Sequence, residues 1–290
     1  VFKINLMPRF MGEITRHGFH WYIDKLMGMG SSSLIQGFSG IELMAVTGEQ
    51  IKKNLMLAGL NHNPSIYVIG NPSYEGFLGY AVNFSDSKKK DLLESLGFTG
   101  DDRLFTLFLS PSKFTKTMIE EIKLVLSTIK DYSKEVAVCL KFHPKTNEID
   151  INQITKMLDS LIDKHHVIKD FTGDDYNLDL VLSSEAIIQK QSTIGYIAML
   201  TGIPIVSYNI LDTEYGDDMY KILGCSFHAE TVKDLKDNLK KLDNDQELIK
   251  LFDLQEQACK RFCLNTDSPL ENFSNVISSY LSSGIKGKKE

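Results

Sequence analysis

Nowhere do the 290 residues hold an apolar run approaching the roughly 18 residues that a membrane span needs. Two phosphate-binding signatures are missing too. No G-x-G-x-x-G and no G-x-x-x-x-G-K-[ST] occurs, so neither the usual dinucleotide fingerprint nor a P-loop is supported. A basic excess is also lacking: the formal net charge of −6 speaks against broad nucleic-acid binding, and no nucleic-acid partner is expected. Cysteine is sparse. Cys139, Cys225, Cys259 and Cys263 have no histidines or second pair at ligand spacing, so they read as reduced structural thiols rather than a zinc site. No acidic pair has metal-ligand spacing either, and no essential metal is expected. Internal repeats and low-complexity segments are absent.

What remains is the composition of a globular protein, 42% apolar and 24% charged, long enough for two modest domains or one large one. Its second half alternates strand-like and helix-like segments. Residues 104–109 form an apolar run followed by Ser110-Pro111-Ser112, and 117–132 repeat Ile119, Ile122, Val125, Leu126 and Ile129 at helical spacing. Residues 136–142 read as a strand with His143-Pro144-Lys145 directly after it. Residues 151–165 read as a helix, 226–229 as an edge strand, and 231–242 as a capped helix. Strands alternating with helices of this length predict parallel βαβ units in a doubly wound sheet.

The stretch 176–209 organises the chain. Ala186-Ile187-Ile188 is a strand without alternation, as in a sheet buried on both faces. A polar loop over 189–193, with Gln191, Ser192 and Thr193, leads into a helix over 194–200. Gly202 ends that helix, and Pro204 prevents its continuation into the next strand. A strand feeding a loop that opens a helix presents backbone N–H groups and the positive end of the helix dipole to an anion. Ser192 and Thr193 would add hydroxyl donors, though the same two residues also suit an ordinary N-cap. Open parallel sheets bind ligands outside the carboxyl ends of their strands, which would gather the loops at Ser110, His143 and Ser192 on one rim.

The first half is less regular. Residues 1–6, 41–47 and 65–69 read as strands, 49–58 as a helix, and Gly70-Asn71-Pro72 punctuates the end of the last strand. Residues from there to about Ser85 are rich in glycine and aromatics without periodicity, and the domain boundary is placed at this point. Three segments are expected: 1–72 as the remainder of an amino-terminal domain, 73–270 as a second domain, and 271–290 as a helix and tail. Val1 falls inside a strand pattern, so the chain is expected to begin partway through a longer protein.

The His143-Pro144 pair after a strand, the Ser192-Thr193 loop and the Gly202-Ile203-Pro204 strand entry together resemble the nucleotide-binding half of a GT-B glycosyltransferase. The resemblance extends to bacterial surface-polysaccharide enzymes: Kdo and sialic acid transferases of capsule synthesis, and CDP-glycerol glycerophosphotransferases. The wider group includes UDP-N-acetylglucosamine 2-epimerase-like proteins. His17-Gly18 and the Val68 to Pro72 crossover fit the same pattern. The resemblance implies an α/β fold of two Rossmann-like doubly wound domains facing a cleft, the amino-terminal one incomplete.

It also implies roles. His143 would contact the nucleotide phosphate or ribose, with Lys141 or Lys145 adding charge. Gln191, Ser192 and Thr193 would hold the phosphate, and Ser110 and Ser112 would lie near the diphosphate. The catalytic base would come from the amino-terminal domain, where His17 is the candidate. Many such enzymes carry a ribose-binding Glu one turn after the phosphate loop, but the matching residue here is Ile197. The paired acidic and histidine residues of the hydrolysing epimerases have no counterpart that the sequence places.

The implied function is transfer of a sugar, CMP-activated by preference, to a bacterial surface polysaccharide. A nucleotide-activated sugar would be the donor, a glycan or lipid-linked molecule the acceptor, and no separate cofactor is expected. The protein would be cytoplasmic or at the inner face of the membrane, with peripheral contact through the basic tail or a partner. Two alternatives stay open: a CDP-glycerol-type or epimerase-like enzyme, and a non-catalytic nucleotide-binding scaffold.

Overall fold

A computed structural model describes residues 43–57, 65–100, 102–109, 114–133, 136–158, 177–190, 192–212, 219–262 and 268–286. Along the chain these form β1 (Leu43–Val46), α1 (Glu49–Leu57), β2 (Ser65–Val68), a 3-10 turn (Pro72–Tyr74), α2 (Phe77–Val82) and α3 (Asp86–Ser95). Then come β3 (Arg103–Phe108), α4 (Lys116–Tyr132), β4 (Val136–Lys141), α5 (Glu148–Leu158), α6 (Asn177–Ser183), β5 (Ala186–Gln189) and α7 (Ile194–Thr201). The remainder is β6 (Ile205–Tyr208), α8 (Met219–Ile222), β7 (Phe227–Ala229), α9 (Val232–Lys241), α10 (Asp245–Phe262) and α11 (Pro269–Lys286).

The chain divides into two compact units. One takes the described residues up to Gly79 together with those from Gln257 onward, and the other runs from Tyr80 to Glu256. In the first unit β1 and β2 pair in parallel from Leu43↔Ser65 to Val46↔Val68, with α1 as the crossover that a parallel pair requires. The closing helix α11 belongs to this unit. The Leu270 N–H donates to Glu75 Oε2 at 3.1 Å, and the Asn272 side-chain amide donates to the Ile69 carbonyl at 3.3 Å. The sequence reading divides the chain at 72/73, whereas the contact units part within α2.

The second unit is a five-stranded sheet in the order β4-β3-β5-β6-β7, parallel throughout. Nearly every strand residue is buried, which accounts for the unbroken apolar runs in the sequence. On one face Phe105, Leu107, Val138, Leu140, Ile188 and Val206 join Ile122, Val125 and Ile129 of α4, Ile151 and Ile154 of α5, and Leu235 and Leu239 of α9 in one core. From β3 the chain first adds β4 on one side, then crosses back to add β5, β6 and β7 on the other. The switch point of this doubly wound order therefore lies between β3 and β5.

Local chemistry explains several helix boundaries. Ser85 and Thr115 accept backbone N–H groups at the starts of α3 and α4, and Thr231 closes a capping box with Asp234 at α9. Gly202 adopts φ 69° at the end of α7, a left-handed conformation that costs glycine no Cβ strain. Two helices depart from the sequence reading. α2 forms in the aromatic stretch where no periodicity is visible, because it carries no buried residue to create an apolar stripe. α11 begins at Pro269, two residues ahead of the helix expected from 271, since proline lacks only an N–H that the first turn does not use.

Candidate functional site

Strand register places the ends of β3, β4 and β5 level with one another. Phe108 pairs with Lys141 on one side and Gln189 on the other, Gln189 pairs with Ser207, and Ser207 pairs with His228. Paired residues share a face, so Lys141, Phe108, Gln189, Ser207 and His228 form one row across the carboxyl end of the sheet, opposite the α4–α5–α9 core. Lys141, Gln189 and Ser207 are buried. Ser207 Oγ lies 2.8 Å from Ser226 Oγ and 2.9 Å from His228 Nδ1. Gln189 is fully buried, yet both polar atoms of its amide lack a hydrogen-bond partner. A buried amide left in this way costs free energy.

Beyond Gln189 the loop is fastened from the core side. Lys190 Nζ donates to Glu121 Oε2 of α4 at 2.8 Å, with the two side chains 10% and 2% exposed. The other carboxylate oxygen of Glu121 accepts the Leu211 N–H at 3.0 Å, so one acid on α4 ties together the segments that follow β5 and β6. Burial, and secondarily the charge of Glu121, pushes the Tyr208 phenol well above its usual range.

The loop then opens α7. Ser192 is half-buried and Thr193 is exposed. Thr193 occupies the N-cap position with φ −64° and ψ −15°, a helical rather than extended backbone, and its side chain makes no capping hydrogen bond. Ser192 Oγ accepts the Ile194 N–H at 3.3 Å, and the Ser192 carbonyl accepts the Gly195 N–H at 3.2 Å. From α8, Tyr220 packs against the first turn and donates its hydroxyl to the Ser192 carbonyl at 2.5 Å. A Cβ on Gly195 would stand 2.4 Å from both Gln189 Nε2 and Tyr220 Cζ, so only glycine admits this packing.

His143 and Lys145 follow β4 on the same edge. The Lys145 N–H donates to His143 Nδ1 at 3.1 Å, so a neutral His143 ring carries its proton on Nε2. His143 is half-buried and Lys145 exposed. β3 separates β4 from β5, which sets the strand ends leading to His143 and Ser192 two sheet spacings, about 10 Å, apart. The structure thus brings His143, Lys145, Ser192 and Thr193 to one edge of one sheet. His17, Ser110, Ser112 and Gln191 lie outside the described residues. Ile197 is buried within α7, and no carboxylate stands in its place.

Three contributors escaped the sequence reading: the partnerless amide of Gln189, the Glu121–Lys190 pair and Tyr220. Each depends on contacts between residues tens of positions apart, and periodicity carries no trace of them. Among the described residues no group of three His, Cys, Asp or Glu gathers that could hold a metal ion, and Cys139, Cys225 and Cys259 are buried thiols outside any disulfide. No described helix is long and apolar enough to cross a membrane.

No protein-family model matches the chain, and no curated protein matches its sequence. Solved structures do match in three dimensions. The wall teichoic acid polymerase TagF, in a crystal soaked with CDPG, superposes with a TM-score of 0.57 at 12% identity, covering 86% of this chain and 59% of that one. MnaA of S. aureus in complex with UDP gives 0.59 at 13% identity, covering 90% and 65%. HepE of Anabaena in complex with UDP and glucose gives 0.50 at 14% identity, covering 82% and 64%. The chain spans less than two thirds of the length of these structures. At such identities the likeness establishes the fold, which is of the GT-B type.

Proposed function

We propose that the chain acts as a GT-B transferase whose second unit binds a nucleotide-activated donor at the carboxyl end of β5. One observation carries the reading: α7 begins at the switch point of a parallel sheet, and its Thr193 hydroxyl is exposed and takes no part in capping its own helix. Ser192, Thr193 and the helix dipole would hold the phosphate. His143, through Nε2–H when neutral, would donate to a phosphate or ribose oxygen, with Lys145 contributing charge. Ser110, Ser112 and Gln191 would complete the rim. Structural neighbours that hold UDP or were soaked with CDPG support a nucleotide ligand for this fold.

The chemistry asked of such a site is stabilisation of the leaving phosphate, together with a base that deprotonates the acceptor hydroxyl. The first task suits the second unit. For the second, His17 is the candidate. We favour a cytidine nucleotide, as a CMP-sugar or CDP-glycerol, with a bacterial surface glycan or its lipid-linked precursor as acceptor, at the cytoplasmic side of the membrane. Ile197 in place of a ribose-binding carboxylate keeps a second reading in play, in which the unit binds a nucleotide without catalysing transfer.

The test is calorimetric titration with CMP, CDP, UMP, UDP, GDP and ADP, on the wild-type chain and on His143→Ala. Selective binding of a cytidine nucleotide, weakened about tenfold in His143→Ala, is the expected result. Selection of UDP would redirect the assignment to a UDP-sugar enzyme. A folded protein that binds none of the six would defeat the donor-site reading.

A further inference from the structure

A trans peptide is planar, and the C=O of one residue points opposite to the N–H of the next. Whatever fixes the Ser192 carbonyl therefore also fixes the Thr193 N–H, which leaves the start of α7 in the opposite direction. Two donors converge on that carbonyl: the Gly195 N–H at 3.2 Å, from within the helix, and the Tyr220 hydroxyl at 2.5 Å, from α8. Tyr220 is 2% exposed and lies against Gly195, where a Cβ would collide with its ring. A second contact ties the same two helices. Tyr196 OH of α7 approaches Met219 Sδ of α8 at 3.0 Å, and the Tyr196 and Tyr220 rings lie 6.0 Å apart.

We infer that Tyr220 is a positioning residue for the anion-binding loop. Its hydroxyl holds the Ser192–Thr193 peptide so that the Thr193 N–H and hydroxyl face a phosphate, while its ring bars any side chain at Gly195. The inference rests on the donor-site reading above and deepens it, because the segment after β6 then sets the affinity of the loop after β5. The Glu121 carboxylate couples the same two segments from the core side, through Lys190 and the Leu211 N–H. Neither Tyr220 nor Glu121 touches the ligand; both act through the loop.

The experiment compares Tyr220→Phe with Tyr132→Phe, by calorimetric titration with CDP and UDP and by thermal unfolding without ligand. Tyr132 also donates its hydroxyl, to Asp243 at 2.6 Å, but at the amino end of the sheet. It therefore controls for the general cost of losing a tyrosine hydrogen bond. The expected result is about tenfold weaker binding of the preferred nucleotide in Tyr220→Phe, the size of one hydrogen bond, with wild-type affinity in Tyr132→Phe. If the wild type binds and Tyr220→Phe binds equally well, the inference fails while the donor site stands. If both variants weaken alike, the effect is general destabilisation and the inference also fails. If the folded wild type binds none of the six nucleotides of the panel above, the donor-site reading falls and takes this inference with it.

Discussion

Three helices of the larger unit begin with a threonine; Thr115 at α4 and Thr231 at α9 accept a backbone N–H of their own helix, and Thr193 at α7 does not. Thr231 has an extended backbone, φ −134° and ψ 161°, and closes a capping box with Asp234, whose carboxylate it holds below the usual range by a side-chain hydrogen bond. Thr193 has a helical backbone and leaves its hydroxyl unengaged. The start of α9 is thus closed by its N-cap threonine, whereas the start of α7, where Ser192 Oγ accepts the Ile194 N–H, is also held from outside, by Lys190–Glu121 on one side and Tyr220 on the other. With that fastening the Thr193 hydroxyl is not spent on its own helix. That is the arrangement an anion site needs, because a cap that satisfies itself has nothing left to donate.

Breaking the outside anchor gives the largest expected effect. Lys190→Met leaves the Glu121 carboxylate buried without its cation and is expected to cost about 3–5 kcal/mol of stability. Adding Glu121→Leu is expected to recover most of that loss, read by urea unfolding of both variants. A single variant as stable as the wild type would show that the pair does not hold the loop.

The threonines give the next contrast. Thr231→Ala removes a working cap and is expected to cost about 1 kcal/mol. Thr193→Ala removes a hydroxyl that caps nothing and is expected to stay within about 0.5 kcal/mol of the wild type. Comparison of the two midpoints in one denaturant series decides it; equal losses would mean that Thr193 serves its helix after all.

The smallest effect lies at the opposite end of the sheet, where polar groups are fully used. Arg103 meets Glu185 through two nitrogens and Asp243 through one, and Tyr132 donates to Asp243. The guanidinium pKa is raised, mainly by the Glu185 hydrogen bond. Burial, then the bond to Asp243, pushes the Tyr132 phenol up from 10.0 to about 12. A raised phenol pKa means that the native state holds its proton more tightly than the unfolded chain does. The stabilisation is therefore fully present below pH about 10 and is lost as pH rises toward about 12. Tyr132→Phe is expected to flatten that alkaline decline slightly in a pH series of unfolding midpoints; an unchanged slope would remove Tyr132 from the account.

Much of this architecture was legible in the chain. The apolar runs at 104–109 and 186–188 announced strands, the second of them buried on both faces, Gly202 with Pro204 marked the end of α7, and Thr231 announced its cap, because each signal is local. The loop after β5 was legible as a polar interruption between a strand and a helix, and so were His143 and Lys145 after β4. The fastening of that loop was not. Glu121 and Lys190 are 69 residues apart and Tyr220 is 28 from Ser192, so neither contact has a period or spacing to betray it. α2 was missed for a related reason: with no buried face it has no stripe to read.

The central claim is that the start of α7 is built for an anion and the start of α9 for its own helix. The most direct measurement is nucleotide affinity in Thr193→Ala against Thr231→Ala, using the nucleotide that the wild type binds most tightly. The account predicts binding weakened about tenfold in the first, as for loss of one hydrogen bond to a charged group, and wild-type affinity in the second. Equal affinity in both variants, or a folded wild type that binds no nucleotide, would contradict it.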